Sequence, residues 1–332
     1  MKKIINIFIL LLVMFEYSYG QDPQFSQFYA APLYLGPSFA GTSEATRVVI
    51  NYRDQWPRLP GSFVTTAFSI DHNLTKYKSG IGFLLLRDNA GKGMMVTSNV
   101  GAMYSYDIKI NKDIHVRPGI HALYYHSSID FHSQIFADQI KDNRTVPVSV
   151  ETVPVRKEGH FDFSSSALLF SKEYWLGFTI DHLMSLHNTY AENVNNAPLK
   201  FSLYGGGKIN INKSGLRRNI DAENILLAFH LKSQNKNIQL DFGMYYNKTP
   251  YLFGIWYRGI PIFKETISQD AITILFGYKF QDFNIGYNYD FTISRLITTT
   301  GGAHEISLIY IFDHILQTNR RKIYFPTPCP TF

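Results

Sequence analysis

From about residue 45 onward the chain alternates apolar and polar positions with a period of two. Between Asn99 and Ile110 one parity reads Val100, Ala102, Tyr104, Tyr106, Ile108 and Ile110, and the other Asn99, Gly101, Met103, Ser105, Asp107 and Lys109. Ile238, Leu240, Phe242, Met244 and Tyr246 oppose Gln239, Asp241, Gly243 and Tyr245. Ile272, Ile274, Phe276, Tyr278 and Phe280 face away from Thr273, Gly277 and Lys279, and Phe283 to Phe291 repeats the pattern against Asn284, Gly286, Asn288 and Asp290. A period of two means strands with one apolar and one polar face. A soluble sandwich would alternate as well. Three features favour a transmembrane barrel: a second face rich in Gly, Asn, Ser and Asp, as a lumen would be; aromatics near strand ends; and windows of about 9–11 residues, the span of a tilted membrane strand.

The pattern predicts about fourteen antiparallel strands, near 46–56, 62–71, 79–88, 98–110, 114–126, 161–171, 173–181, 199–212, 223–231, 236–246, 250–258, 270–280, 282–290 and 303–313. Short links, such as Asn111–Asp113, Ser171–Lys172, Asn247–Thr249 and Gln281, alternate with long ones, Ser127–His160, His182–Pro198, Gly259–Gln269 and Thr292–Gly302. Barrels of this class have short periplasmic turns and long external loops, so both termini are expected in the periplasm. Two links break the alternation, a long Lys213–Ala222 and a short Ser233–Asn235, which points to a misplaced strand between them. The last strand, "GGAHEISLIYIF" (301–312), ends on an aromatic, as outer-membrane insertion signals do. A tail follows, basic at Arg320, Arg321 and Lys322, where prolines at 326, 328 and 330 forbid helix and regular strand.

Composition narrows the class further. Aromatics reach 15%, with 26 Phe and 22 Tyr, while mean hydropathy is only −0.11, so apolar surface is spread over alternate positions rather than gathered in runs. Met1–Gly20 reads as a signal peptide: Lys2 and Lys3, an apolar stretch from Ile4 to Phe15, then Ser18-Tyr19-Gly20. Residue 21 is Gln, which offers no lipoprotein acylation site. No later segment has 18 uninterrupted apolar residues, which speaks against a helical membrane protein. The single Cys329 rules out an internal disulfide and a structural Cys-based zinc site. The net charge of +6 is scattered, and nucleic acid is an implausible partner for an exported chain.

"QDPQFSQFYAAPLYLGPSFAG" (Gln21 to Gly41) has neither a period of two nor one of 3.6. Together with "RVVINYRDQWP" (47–57), "GYNYDFTISRL" (286–296), "AHEISLIYIF" (303–312) and the "RRKIYFPTPCPTF" tail (320–332), it resembles the PorP/SprF family of outer-membrane proteins of the type IX secretion system of Bacteroidetes. The resemblance implies an outer-membrane component that supports secretion or surface anchoring of cargo bearing a type IX C-terminal signal, gliding adhesins among them. It also implies partners in outer-membrane lipid, in the cargo or its signal domain, and in the periplasmic ring and motor. One departure is Gly36, where the family pattern leads one to expect Asn and where Gly would loosen the turn.

The domain reading is therefore a signal peptide at 1–20, a periplasmic or lumenal segment at 21–45, a barrel at 46–313 and a periplasmic tail at 314–332. If the segment folds at the periplasmic mouth or in the lumen, Phe25, Phe28, Tyr29 and Tyr34 pack together there, with Pro32, Pro37 and Gly41 as specified turns. The alternative is a mobile leader read by assembly machinery. Arg53 is expected to face the lumen and pair with this segment or with Asp290, or to belong to a generic lumen charge lattice. Arg295 is a candidate cargo contact, and the acidic and basic side chains of Ser127–His160 mark another. Arg320, Arg321 and Cys329 are candidates for docking on a periplasmic partner; Cys329 could equally form an intermolecular disulfide or remain a free thiol.

"FSIDH" (68–72) and "FTIDH" (178–182) invite a metal or acid–base reading, but the strand count sets them a barrel height apart, as ordinary interface residues. "YGGGK" (204–208) lacks phosphate-loop spacing and is read as a lumen-side wall whose glycines permit bending or the close approach of a plug. There is neither a Gly-x-Ser-x-Gly elbow nor a His-Glu-x-x-His motif. The expectation is no enzyme, no cofactor, and no catalytic or metal site; the competing class is a diffusion porin.

Overall fold

The computed structural model describes residues 22–27, 30–43, 45–91, 95–129, 140–141, 144–145, 156–186, 198–211, 223–235, 237–261, 271–293 and 300–312. The expected signal peptide at 1–20 and the tail at 314–332 lie outside them. Among the described residues, fourteen strands of eight or more residues form one antiparallel sheet that closes on itself. They are β1 (Thr46–Gln55), β2 (Phe63–Leu74), β3 (Ser79–Ala90), β4 (Met95–Tyr106), β5 (His115–Ile129), β6 (Arg156–Phe170) and β7 (Tyr174–Asp181). The second half comprises β8 (Lys200–Asn210), β9 (Glu223–Gln234), β10 (Asn237–Lys248), β11 (Tyr251–Pro261), β12 (Ala271–Phe280), β13 (Phe283–Thr292) and β14 (Ala303–Phe312). Every predicted window overlaps one of these strands. Closure comes from β1 against β14, in register from Thr46 opposite Phe312 to Gln55 opposite Ala303.

The barrel has a proximal end, where β1 begins and β14 stops, and a distal end opposite. Proximal links are mostly brief (75–78, 171–173, 249–250, 281–282), and most distal links are longer (130–155, 182–199, 262–270, 293–302). The two exceptions are features of the fold, and no strand is misplaced between them. β8 and β9 pair continuously from Lys200–Gln234 to Asn210–Asn224, and β9 and β10 from Gln234–Asn237 to Glu223–Lys248. Asn235 closes the short distal turn with a φ of +55°, a conformation Asn tolerates better than most residues.

The alternation sorts the side chains as the sequence suggests. On β1, Arg47, Val49, Asn51 and Arg53 are buried inside while Ile50 and Tyr52 stand exposed outside. The same outer band runs through Phe83, Leu85, Phe163, Phe178, Phe253, Ile274, Phe276 and Tyr287. This continuous apolar belt, aromatic toward its edges, matches a hydrocarbon layer.

The inner face differs from the sequence expectation in one sector. In the proximal half, along β6 to β12, inward positions are held by Leu168, Trp175, Tyr204, Leu226, Tyr245, Leu252, Trp256 and Leu275, which form one buried apolar cluster with Val49 and Ile309. The reading of a polar lumen overlooked strands that are apolar on both parities, Ile274-Leu275-Phe276 being the plainest case. A barrel interior filled this way is a packed core.

Candidate functional site: the N-terminal segment in the lumen

Residues 22–27 and 30–43 lie inside the barrel and run its height. Pro32 opens a single helical turn (Pro32–Leu35) and Pro37 a 3-10 turn (Pro37–Phe39), each at a first-turn position where a missing N–H costs nothing. Leu33, Leu35, Phe39 and Ala40 join the lumenal cluster, with Phe39 beside Trp175 and Tyr204. Phe25 and Tyr34 pack edge to face, ring centroids 5.1 Å apart, and the Tyr34 hydroxyl donates to the Pro23 carbonyl. Phe28 and Tyr29, expected in the same group, lie outside the described residues.

Three sets of anchors hold the segment. At the distal mouth the Asp22 carboxylate meets His182 Nε2 at 2.9 Å and Lys200 Nζ at 3.2 Å, and Lys232 Nζ donates to Gln24 Oε1 at 2.8 Å. His182 Nδ1 contacts Asp162 at 2.7 Å. At the proximal end the Gly41 amide donates to Asp71 Oδ2 at 2.9 Å, Arg47 Nε pairs with Asp71 Oδ1 at 2.8 Å, and Arg117 donates to the Gly41 carbonyl at 3.0 Å. Gly41 takes a φ of +66°, and an added Cβ would sit 2.6 Å from Gly80 Cα, so backbone meets backbone there.

The third set bridges the seam where the barrel closes. Backbone amides of Ser26 and Gln27 donate to the two Glu305 oxygens at 2.8 and 3.0 Å. Arg53 donates to Ser26 Oγ at 2.6 Å, Glu305 at 3.0 Å and Asp290 at 2.8 Å. Arg258 reaches Asp290 at 2.6 Å and Ser26 Oγ at 2.5 Å. It stands on β11 at a bulge, where Arg258 and Gly259 (φ +87°) oppose the single Asp241. Gln27 is fully buried; its amide donates to Asn288 and accepts from Ser307 at 2.6 Å, while Asn51 donates to the Ala30 carbonyl at 3.2 Å. The residues involved come from β1, β11, β13 and β14, so the N-terminal segment ties the first strand to the last.

The fold thus pairs Arg53 with Asp290 and, separately, Phe25 with Tyr34, and Arg53 makes both of the partnerships considered for it. Arg295, Arg320, Arg321 and Cys329 lie outside the described residues, as does most of 127–160. Four sequence expectations change. Asp71 and His182 are a barrel height apart as foreseen, yet both are buried lumenal anchors and not ordinary interface residues. Gly36 has extended backbone (φ 168°), so no turn needs it; instead a Cβ would meet Thr179 Oγ1 at 2.5 Å and Tyr204 Oη at 2.9 Å. Within "YGGGK", Gly206 makes room for Trp175 and not for the N-terminal segment. The first and last described residues, expected at one end, lie at opposite ones: Asp22 is at the distal mouth and Phe312 ends β14 at the proximal end. Ser26, Gln27, Asp22, Glu305 and Arg258 were missed, since nothing local in the sequence links residues some 160 to 280 positions apart.

Among the described residues no cluster of three or more His, Cys, Asp or Glu side chains is arranged to hold a metal ion. The Asp162–His182–Asp22 chain has the look of an acid–base relay, but both imidazole nitrogens are engaged by carboxylates and none is offered to a nucleophile.

The family model of the type IX secretion system membrane protein PorP/SprF matches residues 17–310, almost the entire barrel with its N-terminal segment. The chain belongs to the PorP/SprF family. It is a type IX secretion outer-membrane barrel of fourteen strands. No curated protein sequence matches it. Among solved structures it is similar to the Ralstonia pickettii toluene transporter TbuX, at 9% identity over 85% of this chain and 94% of that one, with a TM-score of 0.48. It is also similar to the Acinetobacter baumannii outer-membrane protein Omp33, at 8% identity over 82% and 100%, with a TM-score of 0.45.

Two outcomes follow for this PorP/SprF barrel. Arg53→Ala strips the buried Asp290 and Glu305 of a shared cation, and losing one partner of a buried ion pair costs about 3–5 kcal/mol. The thermal midpoint of the SDS-resistant folded band should fall markedly, and an unchanged midpoint would contradict the role given to Arg53. At the distal mouth, burial opposes the His182 charge, but the Asp22 and Asp162 carboxylates outweigh it and raise His182 to about 10. Burial likewise works against the Asp22 carboxylate, and Lys200 and His182 outweigh that, holding it below its usual range. A raised pKa stabilises fully below the unfolded value and is lost as pH rises through the folded one. The stability advantage over His182→Gln should therefore be fullest below about pH 6.5, shrink steadily as pH rises above that, and vanish above about 10. The same melting assay reads it; an advantage that survives to pH 11 would contradict the assignment.

Proposed function

We propose that this protein is a non-enzymatic scaffold of the type IX system, supporting secretion or surface anchoring of cargo that carries a type IX C-terminal signal, gliding adhesins among them. The observation that carries the reading is the N-terminal segment occupying the lumen at three levels, beside a buried cluster of apolar side chains. A filled barrel holds position in the membrane and offers its two ends for binding. The longer distal links, with 127–160 and Arg295 among them, are the external, cargo-facing side. The proximal end, where β14 stops and the chain continues toward Arg320, Arg321 and Cys329, is the periplasmic side that meets the ring and motor. In this orientation only the C-terminal tail is periplasmic, and the start of the mature chain lies at the external mouth.

The polar side chains of the lumen support a structural role, because the anchors hold the N-terminal segment and one another. A diffusion porin would keep a water-filled path at the place this segment occupies.

The test is the surface and secreted proteome of cells with and without the protein. Loss of one or a few large type IX substrates is expected, marking a cargo-dedicated scaffold; unchanged export of every type IX substrate would overturn the proposal.

A further inference from the structure

The six hairpins of the proximal end each carry a lysine at or beside the turn: Lys76, Lys112, Lys172, Lys208, Lys248 and Lys279 in order around the barrel. Lys208 is half-buried and the other five are exposed. The exposed acids among the described residues of these turns are Asp113, Glu173 and Asp282, of which Asp113 lies 3.5 Å from Lys172 in a solvent-exposed pair. Such a pair is worth little. With Lys78 and Lys109, and with the half-buried Asp107 and Glu223, the described rim holds eight lysines against five acids, a positive surplus over the rim as a whole and not in each hairpin.

Each sector also places an exposed apolar side chain beside its lysine: Tyr77, Ile110, Tyr174, Ile209, Tyr251 and Phe280. Lys76 Nζ stands 5.6 Å from the centre of the Tyr77 ring. An aromatic or aliphatic group at the edge of the apolar belt with an ammonium just beyond it is the geometry in which a lysine stem lies along hydrocarbon and its head reaches the headgroup layer.

We infer that the proximal rim is an annular binding surface for anionic phospholipid headgroups. Two observations select lipid over an acidic protein. The lysines are spaced round the whole circumference, as lipid is, whereas a protein would meet one sector. Lys76, Lys112, Lys172 and Lys248 are also coupled to a side chain at the hydrocarbon boundary, which a soluble partner would not require, while Lys208 and Lys279 follow the inward parity of Tyr204 and Leu275. Each lysine near an anionic surface contributes a modest, salt-screened attraction, and the effect is collective.

The experiment uses the full chain reconstituted in phosphatidylcholine vesicles, with trace spin-labelled phosphatidylglycerol or phosphatidylcholine reporting the motionally restricted lipid shell. Phosphatidylglycerol should be enriched over phosphatidylcholine by about two- to fivefold at low salt, and the excess should fall as salt rises. Combining Lys76→Gln, Lys112→Gln, Lys172→Gln and Lys248→Gln should bring the ratio close to one while the SDS-resistant folded band is retained. If that combination does not fold, Lys76→Gln with Lys248→Gln should remove part of the excess. Equal association of the two lipids with the unaltered protein would overturn the inference, as would an excess that survives the substitutions. Lipid selectivity unchanged by the substitutions, with loss of binding to soluble poly-glutamate, would assign the rim to a protein instead.

Discussion

The buried ionic cluster of Arg53, Asp290, Glu305 and Arg258 around Ser26 is the constraint on which the rest of the structure turns. Burying such groups is costly unless each finds several partners, and here the partners lie on four strands and on a segment whose Ser26 stands 27 residues before β1's Arg53. Glu305 is fully buried, and its carboxylate takes an arginine and two backbone amides. None of these partners is complete until the first and last strands have met with the N-terminal segment between them. Closing the sheet and filling the lumen are therefore one event energetically.

The two faces of the strands answer to different solvents. Outside, apolar side chains stand exposed to hydrocarbon and need only be large and unbroken. Inside, space is short. The helical turn at Pro32 and the 3-10 turn at Pro37 need a wall that admits them, and the wall supplies it through small groups opposite Gly36 and Gly41 and through Tyr204, which fits beside Phe39. Trp175, Tyr245 and Trp256 pack in the proximal half of the lumen, and polar anchors hold the segment in the distal half.

The strands were legible in the sequence because period-two alternation is a local signal, repeated fourteen times and bounded by turn residues. The lumenal contacts were not, because they depend on which residues the closed sheet brings opposite one another. Arg53 could be picked out, since a charged residue on the inner parity of a strand needs a partner. Ser26 and Gln27 could not, as they sit in an aperiodic stretch where no parity marks an inner face. The aromatic packing was readable in principle: Tyr245, Trp256 and Leu275 break the polar parity of their strands, and such breaks point to a packed interior. The level of Asp22 in the barrel was also out of reach, because it rests on His182 and Lys200, about 160 and 180 positions away.

The account stands on the lumen being closed by the protein's own N-terminal segment. Single-channel recording of the full chain in a planar bilayer is the most direct measurement of that claim. The barrel should show no persistent conductance, with at most rare, brief openings. A stable ohmic pore in the unaltered protein would contradict it and return the molecule to the porins.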